Sequence, residues 1–72
     1  MWANILEVAG FEVSFVGVAS GSNVFSISKR ACEVARVLEY GNDDTCIIVN
    51  FSRAGRCIRK EVKKLIGKFG VV

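Results

Sequence analysis

Residues 28–40, SKRACEVARVLEY, decide the fold, because two stretches with the apolar pattern of β-strands flank them. Ser28 is a residue type that commonly caps the start of a helix, and Gly41 is a residue type that commonly ends one. Between them, apolar residues recur at the i, i+3, i+4, i+7 spacing of a single helix face. These residues are Ala31, Val34, Ala35 and Leu38. The spacing therefore predicts a helix over residues 29–40.

The sequence before this stretch has the alternation of β-strands. Residues 11–18, FEVSFVGV, place Phe11, Val13 and Phe15 on one face of a strand, and residues 24–27, VFSI, have a second strand pattern. The turn residues of ASGSN, 19–23, separate them, so strands within residues 11–28 are expected to pair as a hairpin. Residues 1–10 predict either a short helix or a lead-in strand, which Gly10 ends.

The sequence after residue 40 predicts a turn, a strand and a second helix. Asn42, Asp43 and Asp44 form a turn signal, and residues 45–52, TCIIVNFS, have the nearly continuous apolar run of a central strand. Residues 57–69 carry a helical apolar stripe, with Gly70 at its end. The stripe consists of Ile58, Val62, Leu65, Ile66 and Phe69.

These elements define the expected fold class as α/β in a single domain, 1–72. The expected architecture is a small sheet with a β-α-β-α core, preceded by an extra N-terminal strand or hairpin, with two helices on one face. A strand–helix–strand unit favours a right-handed crossover and a parallel strand pair. In that architecture, the helix N-termini near residues 29 and 57 emerge at the same edge of the sheet.

Charge is distributed unevenly along the chain. The formal net charge is +3, yet residues 1–28 contain no Lys or Arg and residues 29–72 contain all ten. Both predicted helices begin with cations, although the positive end of a helix dipole favours acidic residues there. An incoming phosphate group would meet cations, dipoles and free amides together. The predicted nucleic-acid-binding residues are Lys29, Arg30, Arg53, Arg56, Arg59, Lys60 and Lys63.

Catalysis is not expected from this sequence. Without histidine, a Ser or Cys nucleophile lacks its usual base, so we expect no catalytic residues and no enzyme activity. Cys32, Cys46 and Cys57 have no metal-ligand spacing, and we expect neither metal nor cofactor. Three reduced and mostly buried cysteines are expected, with redox sensing by Cys57, beside Arg56, as an alternative.

Hydrophobic residues make up 51% of the chain, which is high for a small domain and favours a homodimer.

The most apolar stretch, residues 1–19, is interrupted by Glu7 and Glu12 and lacks the positive start of a signal peptide. No transmembrane segment is predicted, and a cytoplasmic location is expected.

Two further stretches resemble Alba, a family of small chromatin and RNA-binding proteins. Residues 23–30, NVFSISKR, resemble the first strand of that family running into its basic loop. Residues 55–62, GRCIRKEV, resemble the G-R-x-I-x-K-x-V opening of its second helix, and the likeness covers about residues 23–69. The resemblance implies nucleic-acid contacts by Lys29, Arg30 and Arg56, and a dimer that grips duplex backbone without reading bases. The family's loop proline is replaced by Ala31, and its long C-terminal hairpin does not follow before Val72.

The predicted function is therefore non-enzymatic binding of DNA or RNA through phosphates, with little sequence specificity. The alternative is a small regulatory or protein–protein interaction module that docks through its basic or apolar surface. Basic residues that only solvate a helix face, or whose stems cover apolar surface at a dimer interface, remain the simpler interpretations of the charge.

Overall fold

The computed structural model describes residues 2–40 and 46–69, which form a four-stranded antiparallel sheet with one helix before it and one after it. The strands follow one another across the sheet in the order β1-β2-β3-β4. Their bounds are β1 Glu12–Ala19, β2 Ser22–Lys29, β3 Cys32–Tyr40 and β4 Cys46–Phe51. Helix α1 spans Trp2–Val8, and β4 leads through a 3₁₀ helix, Arg53–Ile58, into α2, Arg59–Ile66, and a short 3₁₀ turn, Gly67–Phe69.

The predicted β-α-β-α core with a parallel strand pair is wrong. Residues 29–40, predicted as a helix, end β2, form a turn and continue as β3, which pairs antiparallel with both β2 and β4. Within residues 2–40 and 46–69 the sheet has no crossover, and no helix starts near residue 29, but the sheet does contain the predicted β1–β2 hairpin. The predicted turn at 42–44, the helix end at Gly41 and the helix end at Gly70 lie outside the described residues.

Two tight turns of the same kind join the first three strands. Ala19 pairs with Ser22 and Lys29 pairs with Cys32, which leaves two residues in each turn. All four turn residues have positive φ, between 52° and 77°, as the type I′ turns of hairpins require. The first turn, Ser20–Gly21, has a suitable glycine, whereas the second, Arg30–Ala31, holds two side chains in the left-handed region.

The core lies between one face of the sheet and the two helices. Phe25, Val37 and Val49 form one row across β2, β3 and β4, and α1 and α2 pack over this face. The fully buried side chains with the largest volumes are Trp2, Leu6, Ile27, Val37, Ile47, Val62 and Ile66. The opposite face of the sheet is not covered by either helix.

Trp2 fixes α1 to the sheet. Its indole Nε1 donates a hydrogen bond of 2.9 Å to Glu39 Oε2, and its ring meets Phe25 edge to face at a centroid distance of 5.2 Å. The side chain is only 1% exposed, so the hydrogen bond satisfies a donor that would otherwise be buried without a partner.

Within the described residues, neither helix is long and apolar enough to cross a membrane.

A β-bulge in β3 positions the 3₁₀ helix. The β2–β3 register shifts between Ile27 and Ser28, which leaves Val34 as the extra residue of β3. The Val34 carbonyl accepts a 2.9 Å hydrogen bond from the Ser52 amide, and Ser52 Oγ lies 3.1 Å from the same oxygen. Ser52 Oγ also accepts a hydrogen bond from the Gly55 amide at 3.2 Å, so it caps the start of the 3₁₀ helix.

Candidate nucleic-acid interface

The antiparallel topology brings two of the basic segments to the same end of the sheet. The β2–β3 turn closes this end, and β4, which runs antiparallel to β3, also ends there and leads into the 3₁₀ helix. A groove, here called the turn groove, lies between the β2–β3 turn and the 3₁₀ helix. It is lined by Lys29, Arg30, Cys32, Val34, Ala54, Cys57 and Ile58. Two predicted basic residues therefore face a segment that carries two more.

The two basic residues of the hairpin differ in their freedom. Lys29 Nζ lies 4.7 Å from the centre of the Phe11 ring, a cation–π contact with a buried aromatic residue. Arg30 is exposed at the tip of the turn with φ of 54°. Lys29 is thus held at the base of the turn groove, whereas Arg30 projects its guanidinium from a strained backbone position.

The arginines of the 3₁₀ helix differ in their positions. Arg53 and Arg56 are exposed; Arg53 lines neither groove, whereas Arg56 joins Arg59 in a second groove, here called the edge groove, beside the edge of β4 that has no partner strand among the described residues. The edge groove is lined by Val49, Asn50, Phe51, Arg56 and Arg59. Turn groove and edge groove therefore lie on two sides of one short helix.

The remaining predicted residues, Lys60 and Lys63, lie on the exposed side of α2 and line neither groove. Val62 and Ile66 form the buried side of the same helix. The structure thus brings Lys29, Arg30, Arg53, Arg56 and Arg59 around the 3₁₀ helix, and places Lys60 and Lys63 along the adjoining α2 surface.

The predicted pair of open helix tips is absent. Residue 29 starts no helix, and the chain enters α2 directly from the 3₁₀ helix. The Gly55 amide in the first turn of the 3₁₀ helix donates to Ser52, and the Arg59 amide donates to the Arg56 carbonyl where α2 begins. A phosphate bound here would therefore not meet the two neighbouring α-helix N-termini that the sequence predicted.

The predicted basic residues have no ion-pair partner among the described carboxylates. Within residues 2–40 and 46–69, the ion pair found joins Arg36 Nε to Glu33 Oε1 at 3.2 Å. The Ser26 hydroxyl donates to Glu33 Oε2 over 2.5 Å, and this hydrogen bond, followed by Arg36, lowers the pKa of the Glu33 carboxyl below its usual value. Glu33 and Arg36 thus neutralise each other on the uncovered face of the sheet.

That uncovered face holds a cleft that sequence patterning did not predict, because residues 29–40 were assigned to a helix. Its lining combines apolar and polar side chains; we call it the open-face cleft. Its lining includes Val16, Val24, Leu38, Glu33, Arg36, Asn50 and Ser52. Asn50 also lines the edge groove, so the two depressions adjoin at β4. The signal in the sequence was the strand alternation of Arg36, Leu38 and Tyr40, which the helical spacing obscured.

Two of the three cysteines depart from expectation. Cys32 and Cys57 are free and exposed, and both line the turn groove, whereas mostly buried thiols were predicted.

Comparison with known proteins finds no match to any family, curated protein or solved structure.

Proposed function

We propose that this domain binds nucleic acid through its phosphates, without catalysis and with little sequence specificity. The observation that carries the proposal is the gathering of five predicted cations around the 3₁₀ helix, none of them ion-paired with a described carboxylate. Unpaired cations that crowd one surface repel one another, and a polyanion relieves that repulsion.

The mechanism is displacement of counterions by side chains. The guanidinium groups of Arg56 and Arg59 are planar, and each is able to bind two oxygens of one phosphate. Lys29 and Arg30 contact the same nucleic-acid backbone from the side of the β2–β3 turn. In the resemblance to Alba, Lys29, Arg30 and Arg56 hold the basic positions. The proposal keeps these residues but assigns them to a hairpin turn and a 3₁₀ helix. Salt dependence is the direct signature of this mechanism.

A salt series tests the proposal. With about five phosphates engaged, log K for a fluorescent oligonucleotide is expected to fall with log salt with a slope of about −4 to −5. Replacing Arg56 and Arg59 with alanine should make the slope of log K against log salt less negative by about 2, because each arginine is expected to neutralise one phosphate. A slope near zero for the unaltered protein overturns the proposal.

A matched control separates local contacts from net charge. Asn4→Asp with Ser20→Asp also lowers the net charge by two, but Asn4 lies on α1 and Ser20 lies in the β1–β2 turn, at the opposite end of β2 from Arg30. This control is expected to retain most of the affinity. Equal losses in the two double variants would show that binding follows net charge rather than the proposed surface.

The exposed thiols provide an independent measurement. Because Cys32 and Cys57 line the turn groove, a bound oligonucleotide should slow their alkylation by iodoacetamide, followed by mass spectrometry. Unchanged alkylation rates at saturating oligonucleotide would place the binding surface elsewhere.

The second candidate is a protein-interaction module, and the observation that favours it is the free edge of β1. Phe15 is 60% exposed and Val18 is 70% exposed on a strand that pairs, within the described residues, with β2 alone. We propose a second copy of this chain as the occupant. In the antiparallel register that aligns the two β1 strands over their full length, Glu12, the one charged residue of β1, lies opposite Ala19 of the other copy, so that no like charges face each other.

A further inference from the structure

The two depressions that adjoin at Asn50 differ in chemistry. The edge groove carries the guanidinium groups of Arg56 and Arg59, whereas the lining of the open-face cleft is mainly apolar. We propose that the two together select single-stranded over double-stranded nucleic acid, with phosphates in the edge groove and unpaired bases in the open-face cleft. This inference rests on the proposed function and adds the form of nucleic acid that is bound.

The register of the sheet places lining residues of the cleft in two adjacent rows. Gly17, Val24 and Leu38 line the cleft and are direct neighbours across β1, β2 and β3, where they form an apolar row. Arg36 and Asn50 also line the cleft and are neighbours in the next row of the same face, which is polar. Such a surface offers apolar contact and the guanidinium plane of Arg36 to an unpaired base, and hydrogen-bonding groups to the edge of that base.

The open-face cleft and the edge groove differ in net charge. Because Glu33 is paired with Arg36, the cleft has no net positive charge, and a phosphate gains little there. The remaining guanidinium nitrogens of Arg36 and the amide of Asn50 are still able to hydrogen-bond a neutral base edge. Phosphates therefore favour the edge groove, and bases favour the cleft.

Only an unpaired strand can use both parts at once. In a duplex, the faces of the bases are stacked and their pairing edges are occupied, so a duplex reaches the arginines but leaves the apolar row uncovered. Contact between unpaired bases and the apolar row removes apolar surface from water and adds affinity that a duplex lacks. Binding of the single strand is expected to be about tenfold tighter.

Fluorescence anisotropy at a fixed salt concentration tests the inference, with one labelled oligonucleotide used alone and as its duplex. Leu38→Ser is expected to weaken single-strand binding about fivefold or more and to leave duplex binding unchanged, because it removes apolar contact without changing charge. Val16→Ser, at an exposed position that lines the cleft and not the edge groove, should also weaken the single strand selectively and provides a second variant if Leu38→Ser perturbs folding. Val8→Ser, at a 90% exposed position on α1, is the matched control.

The outcomes distinguish this inference from the proposed function. Equal affinities for single strand and duplex, or equal losses of both in Leu38→Ser, overturn the strand selectivity while leaving phosphate binding intact. If neither form binds with a salt-dependent affinity, the proposed function itself fails, and the selectivity fails with it.

Discussion

At the scale of single residues, Arg30 combines a charge suited to binding with a backbone conformation that does not suit arginine. Its φ of 54° lies in the left-handed region, which costs a residue with a Cβ about 1 kcal/mol or more. Arg30→Gly should therefore raise the free energy of unfolding by about 0.5–1 kcal/mol, allowing for the greater entropy of glycine in the unfolded chain. The same change should weaken oligonucleotide binding, measured beside urea denaturation.

Ala31→Gly is the control for that variant. Ala31 has φ of 64° and no charge, so the substitution should stabilise the hairpin and leave affinity unchanged. If Arg30→Gly retained full affinity, Arg30 would have no place in the proposed interface, and its strained position would need another explanation.

Gly55 is required where the 3₁₀ helix crosses the bulge of β3. A Cβ built at this position would lie 1.9 Å from the Val34 carbonyl oxygen, and the contact is with backbone rather than with a movable side chain. Gly55→Ala is therefore expected to lower the free energy of unfolding by about 1–3 kcal/mol in urea denaturation. Gly67→Ala is the matched control, because a Cβ there meets nothing within 4 Å and should be neutral or stabilising. A neutral Gly55→Ala would contradict the close approach of the two backbones.

Glu33 gives the fold a small dependence on pH. Its folded pKa lies below the usual 4.5 because the Ser26 hydroxyl, and then Arg36, stabilise the carboxylate. A lowered folded pKa contributes stability that is present above pH 4.5 and is lost as the pH falls through the folded value. Glu33→Gln should therefore be less stable than the unaltered protein at neutral pH, and the difference should shrink below pH 4.5, measured by thermal unfolding. A difference that stays constant with pH would contradict this assignment; the effect is small because both side chains are exposed.

At the scale of secondary structure, β3 shows why a strand was mistaken for a helix. A regular strand repeats every two residues, but the bulge at Val34 adds one residue and makes Val34 and Ala35 consecutively buried. The apolar residues then fall at the spacing of a helix face. The turn before β3 was equally hidden, because Arg30–Ala31 lacks the Asn or Gly that usually marks a type I′ turn. The β1–β2 hairpin was predictable because Gly21 supplies that signal.

Helix α2 carries repulsion that binding would relieve. Arg59 and Lys63 are four residues apart on its exposed side, and Lys60 and Lys63 are three apart, so like charges adjoin along the helix. Lys63→Glu replaces these repulsions with attractions but loses a cation that the helix dipole favours in the last turn, so the free energy of unfolding should change by less than about 0.5 kcal/mol in low salt. It should also weaken oligonucleotide binding, measured by anisotropy in the same buffer.

Glu61→Gln is a useful comparison, because it removes the one acid of α2, which lies in the first turn, and should strengthen oligonucleotide binding while it lowers the free energy of unfolding. If Lys63→Glu left affinity unchanged, the proposed interface would end at the 3₁₀ helix and would not extend along α2.

At the scale of the whole molecule, the two basic segments do lie close together, but the topology that brings them together is not the one the sequence predicted. The sequence pattern placed two basic segments together through a parallel β-α-β unit, whereas the antiparallel order of strands brings them together at the β2–β3 turn. The identity of the cations depends only on composition, so Lys29, Arg30, Arg56 and Arg59 remain candidates. Arg36 and Asn50 were not predicted, because their position on an uncovered sheet face exists only if residues 32–40 form a strand.

Association through β1 is the corresponding prediction for the assembly. Val18→Lys introduces a charge at the free edge, a device that prevents strand pairing, and should convert a dimer into a monomer in analytical ultracentrifugation. Val8→Lys, at another exposed apolar position, should leave the mass unchanged. An unaltered protein that sediments as a monomer at millimolar concentration would contradict pairing of β1 with a second copy.

The hydrogen bond between the Ser52 amide and the Val34 carbonyl has a consequence for the order of folding. Each of the three strand pairings joins neighbours in the chain, so the meander can assemble from local contacts and is expected to form early. The acceptor for Ser52 takes its final position only once the bulged strand is in place. The basic surface around the 3₁₀ helix should consequently dock last and open first, and the Ser52 amide should exchange with deuterium sooner than the amides of β2 and β3.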